Sequence, residues 1–128
     1  MERSPFEQLG GADGVRALAE AFYDAMDEHE PALARLHVLD EQGRVARSAR
    51  DKFALFFIGW LGGPQDYVAQ HGHPRLRMRH ARVAVDEAMR DAWMRAMRRA
   101  FEVRGVEPEL RAFLETQLGN LATHLRNA

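Results

Sequence analysis

Residues 45–64 read VARSARDKFALFFIGWLGGP, and this stretch decides the fold. Val45, Ala49, Phe53, Phe56, Phe57 and Trp60 recur at steps of three and four, which places them on one face of an α-helix. Gly62-Gly63-Pro64 ends the run, because glycine loosens the backbone and proline lacks the amide that a helix needs. The spacing predicts a helix with an aromatic face, closed by a turn.

The same period extends in both directions. Val15, Leu18, Phe22 and Met26 form an earlier stripe, with Asp13 as its expected N-cap. Met89, Trp93, Met97 and Ala100 form a later one that starts near Asp86. Leu110, Phe113, Leu114, Gln117, Leu121 and Leu125 form the last, with Pro108 in the first turn, where its missing N–H costs nothing. Short pieces at 5–9, 31–36 and 74–80 also read as helical. Only Arg82-Val83-Ala84-Val85 alternates like a strand, and it is too short to find a partner. The predicted fold class is all-α: main helices joined by loops at Gly10-Gly11, Gly43, Gly62-Gly63-Pro64, Gly72 and Gly105.

A chain of 128 residues fits one domain, 1–128, with no repeat or linker to divide it. Such a domain can hide roughly two-thirds of its unfolded surface, enough for a core that encloses a cofactor. The formal net charge of −1 gives no general attraction to nucleic acid or acidic membranes. Cysteine is absent, which removes disulfides, thiolate catalysis, thiolate metal sites and covalent cofactor attachment through Cys-x-x-Cys-His. The first residues lack the apolar run of a signal peptide, and the longest apolar stretch, Phe53 to Leu61, is too short to span a bilayer. A cytoplasmic protein is expected. The outer helix faces show no extended apolar patch, which leaves monomer and homodimer both open.

The segment His71-Gly72-His73-Pro74-Arg75-Leu76-Arg77-Met78-Arg79-His80 is the most unusual in the chain. It holds three histidines and three arginines, in a protein with six histidines. Three readings compete. It is a solvated basic turn, or a metal site built from His71, His73 and His80 without a nearby carboxylate, or a place where one histidine binds an iron porphyrin. In the third case the arginines meet anionic propionates, and the rest of the pocket is apolar. The helical stripes add candidates, each with a plainer reading beside it. Ala49 and Phe53 lie one turn apart with Lys52 at their border, and Phe53 or Trp93 at helical spacing is ordinarily core. Tyr23 borders its stripe, where a hydroxyl usually reaches water. His37, between Leu36 and Val38, reads equally as a half-buried histidine with a local partner.

A resemblance changes these weights. Ala21-Phe22-Tyr23, Trp60-Leu61-Gly62-Gly63-Pro64, Tyr67, His71-Gly72-His73-Pro74, Arg77-Met78-Arg79-His80 and Ala92-Trp93, in this order, resemble a group II (O-type) truncated haemoglobin over nearly the whole chain. The resemblance implies a two-on-two helical sandwich around non-covalent haem b. It makes His80 the proximal iron ligand, Tyr23 the distal tyrosine that hydrogen-bonds the gaseous ligand, and Trp93 the distal tryptophan. His37 falls where group II members carry Tyr or His, and Ala49 matches the small residue at the distal gate. Lys52, Arg79 and Tyr67 match positions that reach the propionates, while Phe56 and Leu76 would wall the macrocycle. Phe53 departs from the family's frequent Leu or Gln and makes the distal side drier. The implied function is reversible binding of O2, with CO and NO as further ligands. Nitric oxide dioxygenation and peroxidase-like chemistry use the same pocket and call for a reductase partner. The competing class is a haem-free helical interaction module.

Overall fold

A computed structural model describes residues 3–72 and 86–125. The helix expected over 74–80 and the alternating Arg82–Val85 lie outside the described residues, as do Leu76, Arg79 and His80. Seven helices run in the order α1 (Pro5–Gln8), α2 (Gly11–His29), α3 (Pro31–Ala34), α4 (Arg47–Trp60), α5 (Asp66–His71), α6 (Glu87–Arg104) and α7 (Pro108–Leu125) among the described residues. No strand occurs among them, only an isolated antiparallel bridge between Leu39 and Val45.

Local chemistry explains where these helices begin. Ser4 caps α1 by accepting the Glu7 N–H at 3.1 Å, and Pro5 fills the first turn. α2 has no side-chain cap. Gly10 and Gly11, at φ +98° and +73°, turn the chain straight into it. Asp13, expected as the cap, sits instead inside the first turn, where its charge favours the helix dipole. Asp86 does cap α6, accepting the Met89 N–H at 2.8 Å. Val45, expected to open the α4 stripe, lies before that helix in the bridge to Leu39, yet it is buried as its period required.

α2 packs on both α4 and α6, and α6 packs on α7, giving a two-on-two helical sandwich. Val15, Leu18, Phe22 and Met26 from α2 meet Phe57 and Ile58 of α4 and Met97, Ala100 and Phe101 of α6. Leu114 and Leu118 close the core from α7. Full burial of rings such as Phe22, Phe57 and Phe101 is worth about 1.5–3 kcal/mol each. Two apolar expectations need correction. Phe113 is 51% exposed, because the buried face of α7 runs through Leu110, Leu114 and Leu118. Leu36, Val38 and Leu39 are also exposed, so the surface does carry a short apolar stretch.

A charged pair is buried where α2 meets α4, the side chains of Arg50 and Asp27. Arg50 donates to Glu20 (3.1 Å), Asp24 (2.8 Å) and Asp27 (2.5 Å), all on α2. Its Nε donates to the Val45 carbonyl at 2.8 Å, while the Val45 N–H donates to Asp27 at 3.1 Å. Arg47 pairs with Glu20, and Arg44 with Asp24, on the outer side of this network.

Candidate functional site

The border position of Tyr23 on α2 turns out to be interior. The residue is 4% exposed, and its ring stands 5.0 Å from Phe22, 5.6 Å from Phe53 and 5.7 Å from His37, centre to centre. Phe53 and His37 both meet it edge-on, the arrangement that aromatic quadrupoles prefer. Trp93 reaches the same group from α6, with its ring 5.1 Å from Phe22 and 6.5 Å from Phe53. Residues from α2, α4, α6 and the loop after α3 therefore converge on one aromatic cluster. Phe53 and Trp93 remain only partly buried there, as does Ala49, one turn before Phe53.

Two titratable groups, Tyr23 and His37, sit in that cluster beside the indole of Trp93, and their protonation follows from their surroundings. Burial pushes the Tyr23 phenol above its usual range, and the Arg50 guanidinium opposes this only in part. The phenol stays neutral at physiological pH and keeps a proton to donate. His37 Nδ1 lies 3.0 Å from the Leu33 carbonyl. A carbonyl only accepts, so Nδ1 carries the hydrogen, and in the neutral ring Nε2 is the acceptor.

A second group of expected residues lies further along α4. Phe56 is half-buried, 6.3 Å from Phe53 and 5.7 Å from Tyr67. Tyr67, on α5, is 4% exposed and stands 5.0 Å from the ring of His71. α5 itself was not anticipated, since a six-residue helix that buries only Tyr67 leaves no period to read. Lys52 is exposed beside Phe53. Leu76, Arg79 and His80 lie outside the described residues. The same holds for the three-histidine metal reading; among the described residues no His, Asp or Glu cluster could hold a metal.

Arg50 escaped the sequence reading altogether. Its signal lay in charge periodicity: Glu20, Asp24 and Asp27 stand at i, i+4 and i+7 on α2, opposite Arg47 and Arg50 at i and i+3 on α4. The guanidinium carbon of Arg50 sits 5.7 Å from the centre of the Tyr23 ring.

The α2/α4 layer over α6 and α7, with aromatic side chains gathered where three helices meet, is the architecture of a truncated globin. A family model described as "Bacterial-like globin" matches residues 4–127. The chain is 34% identical over 124 residues to the group 2 truncated hemoglobin YjbI of Bacillus subtilis, covering 97% of this chain and 89% of that protein. Among solved structures, the cold-adapted truncated hemoglobin from Pseudoalteromonas haloplanktis TAC125 is 40% identical with a TM-score of 0.89, over 98% and 99% of the two chains. The group II 2-on-2 hemoglobin from Agrobacterium tumefaciens is 34% identical with a TM-score of 0.87, over 98% and 95%. The chain belongs to the bacterial-like globin family, among its group II truncated haemoglobins.

The family implies a haem, and the side chains present fit one. A porphyrin needs aromatic or aliphatic faces not already consumed by core packing, and Phe53, Phe56 and Trp93 are each only partly buried. The buried Tyr23 phenol adds a neutral hydrogen-bond donor to the same cluster.

Proposed function

We propose that this chain binds haem b non-covalently through His80 and reversibly binds O2, as well as CO and NO, on the side lined by Tyr23, His37, Ala49, Phe53 and Trp93. The observation that carries the reading is the convergence of Tyr23, His37, Phe53 and Trp93 from separate elements onto one aromatic cluster. The haem would supply an iron with one coordination position open to a small gas. The chain's own residues would then do the rest. Tyr23, neutral because it is buried, donates toward a ligand that draws negative charge, and the indole of Trp93 can only donate. Phe53 and Phe56 keep water from the macrocycle, and Leu76 would add to that wall. Lys52, Arg79 and Tyr67 would hold the propionates by charge and hydrogen bonding. Ala49, with only a methyl group, would leave a short entry path.

In this reading the chain works as one domain in the cytoplasm, as a monomer or homodimer, with a reductase to return its iron to the ferrous state. The test is an absorption spectrum of the ferric, ferrous and ferrous–CO protein, repeated with His80→Gly. A Soret band that His80→Gly abolishes, and that added imidazole restores, supports the assignment. A normal haem spectrum in His80→Gly overturns the ligand. A folded parent protein that takes up no haem would return the chain to the interaction-module class.

A further inference from the structure

Arg50 is the group that the reading of Tyr23 leaves unused. Its side chain is 6% exposed, and the Asp27 side chain that it pairs with is 5% exposed, so both charges are desolvated. Burying a guanidinium is costly, and a surface pair between these helices would have fastened them with less penalty. The arrangement is also more specific than fastening requires. Four groups fix the guanidinium: the carboxylates of Glu20, Asp24 and Asp27, and the Val45 carbonyl. The guanidinium carbon thus fixed lies over the Tyr23 ring, 5.7 Å from its centre. The acids hold the cation from α2 at positions flanking Tyr23, three residues before it and one and four after it. The loop that carries His37 is pinned in the same network, because Val45 at its end donates to Asp27 and accepts from Arg50.

We propose that Arg50 is a positioning residue for the distal site, holding the Tyr23 ring in place and polarising its phenol toward hydrogen-bond donation. A cation over an aromatic face draws electron density from the ring and from the oxygen conjugated to it. The O–H becomes a better donor without being ionised. The three carboxylates keep the cation in register and soften its field, so Arg50 tunes the donor and does not strip its proton. This inference rests on the distal role proposed above for Tyr23.

The test uses the haem-bound protein and two variants, Arg50→Lys and Arg50→Met/Asp27→Asn, each in the Tyr23 and the Tyr23→Phe background. The double change removes the cation together with its buried counter-ion, so the fold is not left with an unpaired interior charge. With Tyr23 present, Arg50→Met/Asp27→Asn should speed O2 dissociation roughly three- to tenfold, the range that a desolvated cation–ring contact supports. The C–O stretch of the CO complex should rise as the distal donor weakens. In protein labelled with 13C-tyrosine, the Tyr23 ring signal should move while that of Tyr67, the other of the two tyrosines, stays. Arg50→Lys keeps the charge without the planar fork and should recover part of the C–O stretch. With Phe at position 23, neither variant should change the off-rate by more than about twofold. A lower melting temperature with the off-rate, the C–O stretch and the Tyr23 signal all unmoved would make Arg50 a structural clamp and overturn the proposal. Equal acceleration in the Tyr23→Phe background would do the same. If Tyr23→Phe alone leaves O2 dissociation unchanged, the distal role of Tyr23 fails first and this inference falls with it.

Discussion

Gly14 offers a quantitative test of the fold, because a single methyl group there has nowhere to go. It is the fourth residue of α2, and a Cβ placed on it would lie 1.7 Å from the Leu9 carbonyl oxygen and 2.7 Å from the Leu9 carbonyl carbon. An ordinary carbon–oxygen contact is about 3.3 Å or more, so the gap must open by about 1.5 Å. The obstacle is main chain, so no rotamer change relieves it. Leu9 is held by its N–H donating to Pro5 at 3.0 Å, and the next amide, Gly10, donates to Glu7 at 3.0 Å. Overpacking typically costs about 1–3 kcal/mol, and a backbone obstacle belongs at the upper end. Alanine returns about 1 kcal/mol in helix propensity, leaving Gly14→Ala less stable by about 2 kcal/mol. For 128 residues the unfolding entropy converts each kcal/mol to about 4 °C, so the melting temperature should fall by about 8 °C. Gly119 in α7 is the matched control, since nothing lies within 4 Å of its added Cβ. Gly119→Ala should raise the melting temperature by about 2–4 °C through propensity alone. Thermal melts followed by circular dichroism, checked by urea unfolding, decide the matter. Gly14→Ala melting at or above the parent would refute the close approach of the Leu9 carbonyl to Gly14.

Three further outcomes are expected. Tyr23→Phe and Trp93→Phe should each speed O2 dissociation in stopped flow by about ten- to hundredfold, the loss of one shielded hydrogen bond of about 1.5–3 kcal/mol. The double variant should fall short of the product, because both donors serve one ligand; off-rates within about twofold of the parent would make both residues packing alone. Ala49→Trp should slow CO association after flash photolysis several-fold, and an unchanged rate would mean that the gas enters elsewhere. Glu30 accepts two hydrogen bonds from Arg95, at 3.0 and 2.8 Å, and these hold its carboxyl below the usual carboxylate range. A lowered folded-state pKa adds stability above the unfolded value of about 4.3 and loses it as the pH falls through the folded one. The advantage of the parent over Glu30→Gln, up to ~1 kcal/mol for a pair whose arginine is half-exposed, should therefore close as urea unfolding is moved from pH 7 toward pH 3. A gap independent of pH would remove the ion pair from the account.

Apolar period made burial legible more reliably than backbone state. Val45 satisfies the α4 stripe and is 1% exposed, but its backbone bridges to Leu39 and the helix begins two residues later. The stripe reports which side chains the core claims, and it is silent on where hydrogen bonding starts. Phe113 fails for the opposite reason. It fits a helical period, but Leu114 and Leu118 fit a better-centred one, and α6 takes that face. Asp13 and Asp86 show the same limit at helix starts. Both precede an apolar run, yet only Asp86 accepts an amide, because Gly10 and Gly11 had already turned the chain before Asp13 was reached.

The aromatic cluster and the Arg50 network were legible to different degrees for a single physical reason. Phe22, Phe53 and Trp93 announce their burial individually, since leaving any of them in water is costly wherever its helix goes. An aspartate or arginine announces nothing alone, because a solvated charge is the cheaper state by default. Glu20, Asp24 and Asp27 share one face of α2, and Arg47 and Arg50 share one face of α4. Either set in isolation describes an exposed surface. The two become a network around the buried Arg50–Asp27 pair only when α2 and α4 pack with those faces together, and that pairing is fixed by Phe22, Phe57 and Ile58 in the core. Tyr23 inherits the same dependence. A tyrosine beside a stripe reads as a wet edge until the neighbouring helix brings Phe53 against one side of it and a guanidinium over its face. What turns a border phenol into a dry, neutral, polarised donor is therefore a property of two helices together, and no single helix of this chain contains it.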